Sequence, residues 1–424
     1  MYILKRSSHN PLIAPQNDKQ WESRATFNPC PVRQGKITHL LYRALGHPDA
    51  LMAPAGLSII GKAMSVDGKH FHDRRPFILP EEPWEKYGCE DPRVSFLEGT
   101  HVICYTALGG TPFGPGNIKV AIALSRDLEH IDEKHLATPF NAKAMALFPK
   151  RINGKITAIL TAHTDEPPAK IAIAQVDKLE ELWNPSFWKE WHAKIEEHSL
   201  QPLRFDRDHV EVGSQPILTK EGWLLFYSYI QNYFGGGERV FGIEALLLDS
   251  FDPRRIVART KGPMLVPEET YEKYGMVPNI VFPSGALLEK SGRIDLYYGA
   301  ADTVCARASL KLDDLLNAMI PERRIELTRR AKQNPILAPL QEHAWEKKAV
   351  FNPAAIDLGG SVHLLYRAMG EENTSVLGYA ASKDGVKITM RPTEPAYVPR
   401  EEFEKKHGTP NGNSGCEDPR LTQI

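Results

Sequence analysis

Residues 90–93 hold more reactive chemistry than the chain around them. Glu90-Asp91-Pro92-Arg93 sets two adjacent carboxyls beside a guanidinium, where comparable segments have the apolar Phe148 and Phe282. Asp91, between another acid and an arginine, is out of pattern with the comparable segments and marks 90–93 as a candidate functional site, with Arg93 a candidate for binding. A salt bridge between strands is the structural reading of the same motif. Five further polar residues interrupt or end apolar segments: Asn28 before Pro29, Arg43 after Leu40-Leu41-Tyr42, Glu211 in His209–Gly213, Glu244 in Val240–Leu248, and Asp302 after Ala300-Ala301. A carboxylate inside an apolar strand must find a partner or face a polar cavity. A satisfied ion pair explains any one of them; together they point to one polar pocket. Carboxylates with Asn and Arg suit carbohydrate chemistry, in which hydroxyls take paired hydrogen bonds and two acids divide the proton work.

A repeat would position these groups. Prolines at 29, 92, 149, 216 and 283 are each followed, 7 to 11 residues later, by an aliphatic or aromatic strand such as Leu40–Ala44 or Trp223–Ser228. Between proline and strand lie turn pairs: Gln34-Gly35, Glu98-Gly99, Asn153-Gly154, Glu221-Gly222 and Ser291-Gly292. These are hairpin signals. Five β-rich repeats of about 60 residues predict an all-β, five-bladed propeller over 1–320, with ligand groups converging on the central channel. An irregular β-sandwich is the competing fold.

A charged linker is expected at 321–333, after which the sequence begins again. Asn10-Pro11-Leu12-Ile13-Ala14-Pro15 returns as Asn334-Pro335-Ile336-Leu337-Ala338-Pro339, Arg43 as Arg367, and Cys89-Glu90-Asp91-Pro92-Arg93 as Cys416-Glu417-Asp418-Pro419-Arg420. Residues 334–424 thus read as a truncated duplicate of the first blade and the start of the second. One blade cannot close a ring, so no complete site is expected there.

Composition narrows the function. A net charge of −1 argues against a nucleic-acid partner. The chain has no apolar run of about 18 residues and no signal-peptide pattern, so no membrane partner and a cytoplasmic location are expected. The five dispersed cysteines lack metal or disulfide spacing and read as buried free thiols, and the 15 histidines show no ligand motif. Neither a metal nor a cofactor is expected. A homo-oligomer is compatible with the sequence.

The motifs Phe27-Asn28-Pro29, Leu41-Tyr42-Arg43-Ala44, Gly88-Cys89-Glu90-Asp91-Pro92-Arg93, Phe282-Pro283-Ser284-Gly285 and Tyr298-Gly299-Ala300-Ala301-Asp302 resemble glycoside hydrolase family 130. That family comprises β-mannoside phosphorylases and β-mannosidases on a five-bladed propeller. The resemblance implies that Asp91 is the general acid, acting through a sugar hydroxyl, that Asn28, Arg43 and Asp302 hold the mannosyl unit, and that the reaction inverts configuration. A phosphorylase must bind a dianion with Arg and Lys. Here the segment expected to carry such a lysine reads His209-Val210-Glu211, and Glu211 and Glu244 are extra carboxylates suited to activating water. The expectation is therefore an inverting, exo-acting hydrolase releasing mannose from β-linked, best β-1,2-linked, manno-oligosaccharides, with Asp91 as acid and Glu211 with Glu244 as base. The alternative is a phosphorylase using inorganic phosphate, with Lys143, Lys150, Arg151 and His209 forming the anion site. A non-catalytic sugar-binding propeller is the third reading. Gly235-Gly236-Gly237 is expected to form a loop over the pocket mouth.

Overall fold

The computed structural model describes residues 4–47, 57–320, 330–405 and 414–424; most of the expected linker, 321–329, lies outside them. The chain forms two compact units, 1–325 and 326–424.

The first unit is all-β, with short helices at its margins. After β1 (Lys5–Arg6) come β2 (Ala25–Gln34), β3 (Ile37–Leu45), β4 (Ser58–Ser65) and β5 (His72–Ile78), then β6 (Gly88–Leu97), β7 (Thr100–Leu108), β8 (Ile118–Ser125) and β9 (Glu133–Leu136). These two antiparallel meanders form one eight-stranded sheet, joined where Ser58 of β4 pairs in parallel with Gly88 of β6. A third meander, β10 (Ala142–Leu147), β11 (Ile156–Ala162) and β12 (Lys170–Val176), has three strands; the helices α1 (Pro185–Ala193) and α2 (Ile195–His198) follow it. The fourth runs β13 (His209–Val212), β14 (Ile217–Leu218), β15 (Trp223–Gln231), β16 (Val240–Leu248) and β17 (Ile256–Arg259). After α3 (Thr270–Lys273), the fifth has β18 (Val281–Leu288), β19 (Arg293–Ala300) and β20 (Val304–Lys311), with β1 as its outer strand, and α4 (Leu312–Met319) follows. The first strands neighbour one another: β2 lies against β6 and β18, and β10 against β6 and β13.

Hairpin turns fall where the Gly pairs stand in the sequence. At Asn153-Gly154 both residues have positive φ, 51° and 80°, the conformation that a two-residue turn needs to match strand twist.

The second strands carry a device that the sequence reading missed. Tyr42, Tyr105, Tyr227 and Tyr298 are fully buried, and each donates its hydroxyl to a buried glutamate: Glu22, Glu85, Glu244 and Glu272. Each glutamate is matched by a cation from another segment: Arg74, Lys134, Arg204 and Arg6 respectively. The carboxylate satisfies the phenol that burial would otherwise strand, and the cation compensates the buried charge. Two of these acids lie 20 residues before their tyrosine, a spacing visible in the sequence. The third meander differs. Leu160 stands in the tyrosine's place, and Trp188 and Trp191 of α1 pack over that sheet.

In the second unit, β21 (Ala349–Leu358), β22 (Ser361–Met369), β23 (Thr374–Ser382) and β24 (Ile388–Met390) form one meander, joined by β25 (Ser414–Gly415). Its Tyr366 again donates to a glutamate 20 residues earlier, Glu346, which pairs with Arg391. Among the described residues, Cys30, Cys89, Cys104 and Cys305 are buried free thiols and no helix is long and apolar enough to cross a membrane.

Candidate active site

The first strands are bulged. Register slips by one residue between Phe27 and Cys30 in β2, between Glu90 and Arg93 in β6, between Lys143 and Ala146 in β10, and between Pro283 and Gly285 in β18. Asn28, Asp91 and Ala144 occupy these bulges in the left-handed region, at φ 50°, 53° and 52°. Asn and Asp tolerate that conformation better than other side chains, and proline fits the next position because a bulge leaves an N–H without a ladder partner. The Asn-Pro and Asp-Pro pairs are therefore bulge signatures. The proline register read from sequence holds for Pro29 and Pro92 only. Pro149 lies beyond β10, Pro216 lies between β13 and β14, and Pro283 takes the position of Asn28, one residue early.

Strand pairing defines a set of equivalent positions, each opposite the residue that follows Tyr42, Tyr105, Leu160, Tyr227 or Tyr298. Phe27 faces Arg43, Glu90 faces Thr106, Lys143 faces Thr161, Glu211 faces Ser228, and Phe282 faces Gly299. Three successive meanders thus contribute Glu90, Lys143 and Glu211. The ammonium of Lys143 is held charged against its burial by Asp165, Glu211 and Glu90.

Asp91 is the best-fixed acid of the group. Asn28 Nδ2 donates to its Oδ1 at 2.7 Å, and Arg93 Nη1 donates to its main-chain oxygen at 2.7 Å. Arg43 pairs with Glu90, lies 3.8 Å from Asp91, donates from Nε to Ser58 Oγ at 2.9 Å and stacks 4.7 Å over the Phe27 ring. Burial works against the Arg43 charge, yet Glu90, Asp91 and Asp302 raise its pKa. Burial lifts Asp302 to about 6, opposed by Arg43 and reinforced by Asp91, Glu90 and Glu211. The structure therefore brings Asn28, Arg43, Glu90, Asp91, Glu211 and Asp302 within electrostatic reach of one another.

Other candidates take different places. Arg93 is buried and spends its donors on Gly213 O at 2.8 Å and Asp91 O, so it ties β6 to the end of β13. Lys143 Nζ lies 3.0 Å from Asp165 Oδ1, and Asp165 is anchored by Asn141 at 2.9 Å. His209 is buried, 3.2 Å from Glu211, and stacks on Tyr233 at 4.4 Å between ring centres. Tyr233 belongs to the β15–β16 connection that also holds Gly235-Gly236-Gly237. Asp165, Asn141 and Tyr233 were not singled out from the sequence; their partners reach them only through the fold.

Glu244 requires a correction. It pairs with Tyr227, whereas Glu211 pairs with Ser228, so the two carboxylates stand one residue out of phase and on opposite faces of the sheet. Glu244 is fully buried and held by Arg204 at 2.8 Å and Tyr227 at 3.1 Å. It is a core clamp and no partner of Glu211. Lys150 and Arg151 are also displaced from the anion site expected of them. They sit in the exposed β10–β11 turn, where Arg151 pairs with Glu98 at 2.6 Å.

Two consequences follow locally. A methyl group on Gly299 would overlap the Asn28 side-chain oxygen. Gly299→Ala is expected to dislodge Asn28 from Asp91 and cut kcat/KM by about tenfold, equivalent to one hydrogen bond of roughly 1.4 kcal/mol; steady-state kinetics on a folded variant checks this. Asp302 gives a pH signature. An acid whose folded pKa lies above its unfolded value binds protons more tightly when folded, so its penalty is absent below about pH 4 and complete above about pH 6. Stability should fall across that window by on the order of 2–3 kcal/mol through this group. Asp302→Asn should flatten this part of the pH–stability curve, and an unchanged slope would assign it elsewhere.

Four buried polar atoms along this wall have no protein partner: Asn28 Oδ1, Thr106 Oγ1, His209 Nδ1 and Ser228 Oγ. Such atoms suit a ligand rich in hydroxyls. Among the described residues no group of three or more His, Cys, Asp or Glu side chains is arranged to hold a metal.

The family profile and the similar curated proteins name β-mannoside phosphorylases. The profile of the glycoside hydrolase 130 family, described as β-1,4-mannooligosaccharide phosphorylase, matches residues 3–320. The 1,2-β-oligomannan phosphorylase of Thermoanaerobacter sp. (strain X514) is 32% identical over 316 residues, 74% of this chain and 99% of that protein. The β-1,2-mannobiose phosphorylase of the same organism is 32% identical over 310 residues, 72% and 95% of the two chains. Among solved structures, the β-1,2-mannobiose phosphorylase of Listeria innocua in complex with β-1,2-mannobiose superposes with a TM-score of 0.61 at 25% identity, covering 74% of this chain and 99% of that one. The expectation of hydrolysis is overturned: these relatives are phosphorylases, and the glutamate pair on which hydrolysis rested is split between two faces of a sheet.

Proposed function

Because the chain belongs to glycoside hydrolase family 130, we propose that it is a β-1,2-mannoside phosphorylase built on a five-bladed propeller, each meander forming one blade. The observation that carries this reading is the similarity to a 1,2-β-oligomannan phosphorylase along 99% of that protein. Inorganic phosphate is the co-substrate and no cofactor is required.

In this reading the terminal mannosyl unit lies against Asn28, Arg43 and Asp302, where charged donors and acceptors fix its hydroxyls. A phosphate oxygen attacks the anomeric carbon as the bond to the bridging oxygen breaks. Asp91 supplies the proton that the departing oxygen needs, relayed through a sugar hydroxyl. Attack from the face opposite the leaving group inverts the β-linkage, so the products are α-mannose 1-phosphate and an oligosaccharide one unit shorter. Lys143 and His209 are the cationic and hydrogen-bonding groups that would meet phosphate. Glu211 beside them restrains the net positive charge of that side, so the unpaired atoms of His209 and Ser228 matter for holding phosphate as well.

The test is incubation with β-1,2-mannobiose, with and without phosphate. Mannose 1-phosphate and mannose in equal amounts, formed only with phosphate, is the expected result. Free mannose released at the same rate without phosphate would sink the proposal.

A further inference from the structure

The second unit rebuilds part of the sugar cleft in detail. In β21 the register slips between Phe351 and Ala354, and Asn352 is left-handed at φ 48°. Asn352 Nδ2 donates to Asp418 Oδ1 at 2.7 Å, the distance between Asn28 and Asp91. Arg367 donates from Nε to Ser375 Oγ at 3.0 Å, stands 3.6 Å from Asp418 and stacks 4.7 Å over Phe351. The Arg43 values are 2.9, 3.8 and 4.7 Å. Arg367 also pairs with Glu417 at 2.5 Å, as Arg43 does with Glu90. Even the parallel link is copied, with Ser375 opposite Gly415 where the first unit has Ser58 opposite Gly88.

The copy forms within a unit whose described residues contain one meander and the start of the next strand segment. Its geometry is therefore set locally by the bulge, the Arg–Glu pair and the parallel link. A cluster already in place binds without an ordering cost. Its surroundings are more open: Asn352, Glu417 and Asp418 are exposed, whereas Asn28 and Glu90 are buried.

We propose that the second unit is an additional, non-reacting binding site for the terminal mannosyl unit of β-mannosides, formed by Asn352, Arg367, Glu417 and Asp418. This rests on the assignment of Asn28 and Arg43 to mannosyl binding in the first unit, with Asp91 facing the sugar hydroxyl that relays its proton. The site binds and does not turn over, because the described residues of this unit include no counterparts of Lys143, His209 and Asp302. Binding to so open a cleft is weak, with Kd on the order of millimolar.

Saturation-transfer NMR on the full chain with β-1,2-mannobiose, in the absence of phosphate, measures it. Arg43→Ala disables the first site. The expected result is a mannobiose signal that persists in Arg43→Ala and falls at least threefold when either Arg367→Ala or Asn352→Ala is added. Asn352 is exposed, so its substitution leaves the fold intact if Arg367→Ala does not. A wild-type signal that disappears in Arg43→Ala overturns the second site alone, as does a residual signal untouched by both added substitutions. A wild-type chain giving no signal overturns the sugar-binding reading of both units.

Discussion

Asp91→Asn is expected to slow phosphorolysis of β-1,2-mannobiose by about 10²–10⁴-fold, the contribution of a positioned general acid. The substitution keeps the side chain's shape and leaves an oxygen to accept the 2.7 Å bond from Asn28, so the cleft should stay assembled. What it removes is the proton. An aryl β-mannoside with an acidic phenol needs little protonation on departure, so its rate should fall far less than that of mannobiose. That split between substrates separates proton donation from binding. Equal losses on both would make Asp91 a binding residue and move the acid elsewhere.

The second large effect falls on stability. Arg204→Met should destabilise the first unit by about 3–5 kcal/mol, because it leaves Glu244 buried with an uncompensated charge. Tyr227 at 3.1 Å and Thr260 at 3.5 Å are neutral donors and cannot replace the guanidinium. The same change also loses the stacking of Arg204 over Tyr229 at 4.0 Å. Denaturant unfolding should show an earlier transition for this unit, while kcat of the folded fraction stays within about twofold. A large fall in kcat with an unmoved transition would return Glu244 to the reaction.

Sequence patterns exposed the parts of the site that local rules govern. Asn28-Pro29 and Asp91-Pro92 stand out because a left-handed bulge selects Asn or Asp and tolerates proline after it. The corresponding bulge of the third meander holds Ala144-Met145, which carries no such mark, and the eye moves instead to Pro149 beyond the strand. Glu244 shows a different limit. Its presence in an apolar strand signals a demand for a partner, but the face it takes depends on pairing with β15, and a register difference of one residue reverses it. Arg204, 40 residues away, answers that demand, and nothing local to either residue announces the pair. The acids that clamp Tyr42 and Tyr105 were within reach, since both sit 20 residues earlier, yet they required comparing repeats by their tyrosines and not by their prolines.

The bulges also bear on how such a protein can change. Each diverts one side chain while the ladder continues on either side, offset by one residue, so a bulge position works like a socket: its occupant can be exchanged with little disturbance to the strands that hold it. Asn28, Asp91 and Ala144 fill equivalent sockets with an amide, an acid and a methyl group. Selection can then revise the chemistry of the cleft one socket at a time, while the buried tyrosine–glutamate–cation clamps carry the burden of keeping the molecule folded.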